Sequence, residues 1–323
     1  MQKMFLFLCL LISSKEAHSF PSNIRFGYPT CAACHVSPTG GGVLTPYGRS
    51  TLGEVMTSWA YDGEEGVLYG LFKTSKRLDV GGDARWLQID DQGFFMQREL
   101  EASLNIKRQY YLVASGGVYG PLDEQDSRRY YVMFTDQKSV WFKAGRFFPA
   151  YGIMSNEHYM LYRKRFFNEG RETWNAEFIY RGDWFEAAGS KIFGHPKDQE
   201  QGSKTSGFTG RFLVMPSKWR TSAGVSVLGL VDEIGVFKTH TAISALYSPI
   251  TPLSFELQAG QEDVYARLNI EPFKGFSLKP TMQWVYIDKQ RYSLAMEWLP
   301  RPHYDMQIIF EEQRYIFQYH LYI

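Results

Sequence analysis

The feature that most constrains the fold is a period-two alternation of apolar and charged residues from about residue 77 to residue 323. Successive side chains of a strand point to opposite faces, so the pattern writes one apolar and one polar face. Leu78, Val80, Gly82, Ala84 and Trp86 alternate with Asp79, Gly81, Asp83 and Arg85. Leu253, Phe255, Leu257 and Ala259 alternate with Ser254, Glu256 and Gln258. The chain ends in the same way, with Tyr315, Phe317, Tyr319, Leu321 and Ile323 against Arg314, Gln318 and His320. We count about sixteen segments of roughly ten residues, the length expected of a tilted membrane-spanning strand. Their starts fall near residues 77, 93, 109, 128, 138, 171, 183, 206, 218, 235, 251, 262, 275, 290, 303 and 313.

Alternation alone also suits a soluble sandwich, propeller or binding barrel. Two features argue for a transmembrane barrel. The polar face carries Asp, Glu, Lys or Arg on nearly every segment, too much charge for an ordinary ligand cavity. The connections also alternate in kind. Those after even-numbered segments are tight, such as Arg108-Gln109, Arg181-Gly182-Asp183 and Pro300-Arg301-Pro302, while residues 121 to 127, 149 to 170 and 194 to 205 follow odd-numbered ones. Short turns at one mouth and longer loops at the other are the pattern of an outer-membrane barrel. The predicted fold is therefore all-β, an antiparallel transmembrane barrel of about sixteen strands. This also explains a composition with 16% aromatic residues and a mean hydropathy of −0.30. Trp86, Trp174, Trp284, Trp298 and Tyr322 are expected in the aromatic girdles. With 35 Lys and Arg against 34 Asp and Glu, the chain lacks the positive charge of a nucleic-acid binder.

The first residues read as an export signal over residues 1–19. Lys3 precedes the apolar run of residues 4–12 (MFLFLCLLI), and Ala17-His18-Ser19 supplies the small residues of a cleavage site. The run is too short to cross a bilayer. Cleavage leaves two cysteines, Cys31 and Cys34, followed by His35. A disulfide suits an oxidising compartment, and a redox pair needs a βαβ context that does not follow. The spacing C-A-A-C-H favours attachment of haem c, with both thiols joined to the haem and the imidazole of His35 on the iron.

Residues 20–65 form the candidate haem segment and residues 66–323 the barrel. Pro38, residues 39–42 (T-G-G-G) and Pro46 make the stretch after the motif loop-like. Residues 50–60 fit a short helix with Leu52, Val55, Met56 and Trp59 on one face. So short a segment is marginal as an independent core, so the barrel is expected to supply its walls. Met56 is a candidate distal iron ligand, although packing against Trp59 accounts for it more simply. His240 and His320 fall on the polar parity of their strands. His158 and His195 lie in long loops, as does the basic cluster Arg163, Lys164, Arg165 and Arg171; solvated loop positions account for all of these.

An exported chain with one C-x-x-C-H motif followed by about sixteen strands resembles the fused outer-membrane cytochrome–porins. The resemblance rests on Cys31, Cys34 and His35, and more loosely on Tyr47-Gly48-Arg49 and the stretch 145–152 (GRFFPAYG). It implies a small, partly helical monohaem segment docked on a single-chain barrel in the outer membrane. Cys31 and Cys34 would be the thioether sites and His35 the proximal ligand of one haem c. The best-known members take electrons from Fe(II) outside the cell. The expected function is thus electron transfer between an extracellular donor or acceptor and periplasmic carriers. The alternatives are a porin whose haem is a plug or sensor, and a soluble periplasmic haem protein. The expected partners are those carriers, the external redox partner and outer-membrane lipid, with no nucleic acid.

Overall fold

The computed structural model describes residues 21–323 apart from 62, 65, 68–69, 72–74, 76, 121–123, 127, 156–171, 195–205, 217–218, 232–234, 286–288, 313 and 323. The expected signal peptide, His158, His195 and the basic cluster Arg163, Lys164, Arg165 and Arg171 lie outside the described residues.

The strands are β1 (Leu78–Ile89), β2 (Gln92–Ile106), β3 (Tyr110–Tyr119), β4 (Glu124–Asp126), β5 (Tyr130–Thr135), β6 (Val140–Phe147), β7 (Thr173–Arg181), β8 (Phe185–Gly194) and β9 (Ser206–Val214). They continue as β10 (Thr221–Val231), β11 (Phe237–Ile250), β12 (Leu253–Gly260), β13 (Asp263–Phe273), β14 (Phe276–Val285), β15 (Lys289–Arg301), β16 (Tyr304–Glu311) and β17 (Arg314–Tyr322). Apart from β4 and β5, each pairs antiparallel with its sequence neighbours, and β1 pairs with both β2 and β17, which closes the sheet. The short β4 pairs with residues 117–119 of β3 and β5 with residues 110–114 of the same strand. β4 and β5 therefore lie in series as one interrupted strand, and the barrel has sixteen. Every expected segment start lies within three residues of an observed one. The interruption was not anticipated.

The faces are inverted relative to a water-soluble protein. On β2, Leu100 is 61% exposed while Glu99 and Glu101 on the opposite face are about as buried as a core leucine, at 3% and 4%. On β12, Phe255 and Leu257 face outward while Ser254, Glu256 and Gln258 are buried inside. An apolar wall facing out leaves no backbone edge open, because every strand is paired, so the sheet meets both requirements of a hydrocarbon layer. Inside, the charges are matched at short range. Lys143 bonds Glu177 at 2.8 Å, Arg211 bonds Glu186 at 2.6 Å and Lys279 bonds Glu297 at 2.6 Å.

Two expectations need correction. Tyr322 does not join an outer girdle: its hydroxyl donates to Asp305 and its ring stands on His320 inside the barrel. The helix expected over residues 50–60 begins earlier, at Pro46–Thr51 (α1), and passes into a wider turn, Leu52–Met56. It ends before Trp59, so Met56 and Trp59 do not share a helical face. Trp59 is exposed and packs edge-on against Trp298, with ring centroids 5.7 Å apart.

Candidate functional site in the barrel lumen

The segment ahead of β1 lies inside the barrel, bound to its wall at several points. The turn Pro21–Phe26 packs against β11 and β12, and Arg25 forms a buried ion pair with Glu271 of β13. Arg49 of α1 donates to the carbonyl of Val80 in β1. The backbone N–H groups of Ser58 and Trp59 donate to the carbonyls of Leu299 and Pro300, both at 2.9 Å. Glu64 pairs with Arg301 at 2.8 Å, and the His303 ring spans the carbonyls of Glu64 and Tyr322. These last contacts all fall at the mouth with the tight turns, where the C-terminal strand also ends.

Cys31–Ala33 form one tight helical turn, and the N–H groups of Cys34 and His35 both donate to the Cys31 carbonyl, at 3.2 and 3.0 Å. Thr45 closes the returning chain by donating its N–H to the Cys34 carbonyl at 2.8 Å. Cys31 and Cys34 are not disulfide-bonded, and both line one lumen cavity together with His35. The Nδ1–H of His35 donates to the Gly42 carbonyl at 3.3 Å. A carbonyl only accepts, so this bond fixes the tautomer and leaves the Nε2 lone pair available, as a metal-ligating imidazole requires. Burial in the lumen pushes the thiols up, Cys31 to about 11 and Cys34 to about 12. Burial also pushes His35 down to about 4, with the nearby Arg129 charge adding to the effect.

These residues fit a covalently held haem. The cavity they share is walled by Gly40–Gly42 of the same segment and by Glu99, Glu101 and Arg129 of the barrel. A Cβ on Gly40, whose φ is +84°, would come within 2.9 Å of the Cys31 sulfur. A larger residue there would fill the space over that thiol. Two thiols and a tautomerically fixed imidazole opening on one cavity are the donor set that haem c needs.

The structure sorts the other candidates. Met56 is buried and lines the same cavity. His320 also lines it, but its Nε2 accepts from Arg85 at 3.2 Å and its Nδ1 lies 3.3 Å from Asp305. His320 thus belongs to the wall's polar network. His240 sits in β11 on the inward parity, opposite Leu228 of β10, away from the cavity lining.

The sequence reading missed an inward strap. Residues 148–153 follow β6, and those from Pro149 on were expected to open an outer loop. They fold into the lumen instead. The N–H of Ala150 donates to Glu177 at 2.8 Å, that of Gly152 to Ser226 at 3.0 Å and that of Ile153 to Gln258 at 2.8 Å. Gly152 has φ +59°, and a Cβ there would run into the Gln258 side chain. This glycine, within the stretch 145–152, was the available signal. Glu177 connects the strap to the N-terminal segment. Its other oxygen meets Lys143, whose Nζ also donates to Thr39 at 2.8 Å. Across the cavity, Arg129 pairs with Glu99 at 3.0 Å and Glu101 at 3.3 Å.

No protein-family model matches the chain, and no curated protein matches it. Solved barrels do match it. The chain is similar to a loop-deletion mutant of OmpT, an outer membrane protein of Vibrio cholerae, with TM-score 0.52 and 10% identity over 76% of this chain and 99% of that one. It is similar to a mutant of Rh. blastica porin, with TM-score 0.54 and 8% identity over 76% of this chain and 99% of that one. It is also similar to the outer membrane channel DcaP of Acinetobacter baumannii, with TM-score 0.52 and 11% identity over 78% and 99%. At this identity the likeness establishes the fold, a porin-like sixteen-strand barrel.

Proposed function

We propose that the protein is an outer-membrane barrel that holds one covalent haem c in its lumen. It passes electrons between an external donor or acceptor and periplasmic carriers. The observation that carries this reading is the opening of Cys31, Cys34 and His35 on a single lumen cavity. A haem bound there supplies a one-electron site within a hydrocarbon layer roughly 30 Å thick. Cys31 and Cys34 hold it, and the Gly42 carbonyl keeps Nε2 of His35 turned out as a ligand. The paired charges of the lumen surround the site with fixed dipoles, and such surroundings tune a redox potential. The apolar outer wall insulates it in lipid. Iron as the external partner belongs to the resemblance alone.

The purified protein is expected to show a c-type α-band, and haem is expected to stay with the polypeptide through denaturing electrophoresis. Cys31→Ala combined with Cys34→Ala should abolish both signals, while the barrel's heat-dependent shift in electrophoretic mobility persists. A wild-type chain recovered from an export-competent, haem-c-assembling host without attached haem would refute the reading.

A second reading is a porin with a plugged lumen, favoured by the likeness to porins and channels. It expects single-channel conductance that survives the cysteine substitutions. The electron-transfer reading expects a poorly conducting wild-type barrel, because the N-terminal segment and the strap share its lumen.

A further inference from the structure

The cavity that takes in the haem motif has two thioethers in its wall, and they come from different parts of the chain. Met56 ends the turn after α1 in the N-terminal segment. Met154 immediately follows the strap. We propose that Met154 is the distal haem ligand, so that the barrel itself completes the iron site; this inference rests on the haem reading above. Three observations favour it. The strap is fixed before it reaches Met154, by backbone bonds to Glu177 of β7, Ser226 of β10 and Gln258 of β12. A ligand at that point is therefore held by three separate strands, which is how a rigid site is made. Met154 and Cys31 both line this cavity and also a second one. That second cavity is walled by the strap, Arg211 and Glu186, so Met154 and Cys31 border the same space twice. Met56 lines the first cavity but not the second, and it is buried, at 6% exposure.

Two other potential nitrogen ligands in the wall are committed elsewhere. His320 is engaged by Arg85 and Asp305, and Lys143 by Glu177 and Thr39. A neutral thioether suits a site whose charges are already matched, and an axial Met raises the haem potential. The arrangement also joins the haem segment to the strap at a second point besides the Lys143–Glu177 pair. The iron is then held between a ligand from the N-terminal segment and one from the barrel.

The test uses the full-length, haem-loaded protein and the volume-conserving variants Met154→Leu and Met56→Leu, since Leu for Met usually costs under ~1.5 kcal/mol. The ferric wild type is expected to show the weak thioether-to-iron charge-transfer band. Met154→Leu should lose the band and lower the midpoint potential, with its α-band intensity and electrophoretic shift unchanged. Met56→Leu should keep both band and potential. Loss of the band in Met56→Leu with its retention in Met154→Leu would overturn the proposal, as would a wild type that lacks it. A chain carrying no covalent haem at all would instead defeat the underlying haem reading, and the α-band separates the two failures.

Discussion

Replacing Lys143 with Met should destabilise the barrel by about 3–5 kcal/mol, the usual cost of leaving one member of a buried ion pair without its partner. Lys143 and Glu177 are both essentially inaccessible, with side-chain exposures of 1% and 0%. Glu177 would retain two acceptor bonds, from Ala150 N–H at 2.8 Å and Ser190 Oγ at 2.7 Å. Its charge would still be buried without a cation. Lys143 also donates to Thr39, so the N-terminal segment would lose a wall contact in the same step. Two readouts should move together: the unfolding midpoint in detergent should fall and ion conductance through the lumen should rise. Adding Glu177→Gln to Lys143→Met should recover much of the midpoint, since removing both charges is far cheaper than stranding one. If the double variant is no better than the single, packing rather than charge explains the loss.

The second large effect is expected at Arg129. It pairs with Glu99 and Glu101, two neighbouring carboxylates on the lumen face of β2 that are about 95% or more removed from water. Arg129→Met removes the cation they share. Gln97 still donates to Glu99 at 2.8 Å, but one oxygen of Glu99 has no partner among the described residues even with Arg129 present. Two like charges held close together, with the cation gone, then repel each other. Stability at neutral pH should fall by at least the ~3–5 kcal/mol of a broken buried pair. Adding Glu101→Gln should restore part of it, because it removes one of the two like charges. Thermal unfolding of Arg129→Met with and without Glu101→Gln checks this, and a double variant no more stable than the single would contradict it.

Much of the barrel could be read from residues because each strand faces two unlike media. Leu100 beside Glu99 and Glu101, or Phe255 and Leu257 beside Ser254 and Glu256, encode lipid and lumen sides in successive letters, and the register follows. The C-A-A-C-H motif stands out in the sequence for a simpler reason: its five residues are consecutive. The strap does not. Its anchors lie 27, 74 and 105 residues away in the chain, at Glu177, Ser226 and Gln258. No local pattern announces a backbone N–H that will be satisfied so far off. The side of Tyr322 was misread because an aromatic ring suits an outer girdle, whereas its hydroxyl finds Asp305 inside. Met154 drew no notice because it follows a loop whose inward path depends on those distant contacts.

The central claim is that electrons cross the barrel by way of the lumen residues around Cys31, Cys34 and His35. Sealed liposomes carrying the purified haem-loaded protein, an enclosed electron acceptor and a membrane-impermeant external donor test it most directly. Reduction of the enclosed acceptor is expected with the wild type and should drop to the level of protein-free liposomes when both cysteines are replaced by Ala. Equal reduction with the haem-less barrel, or none with a fully haem-loaded one, would contradict the account.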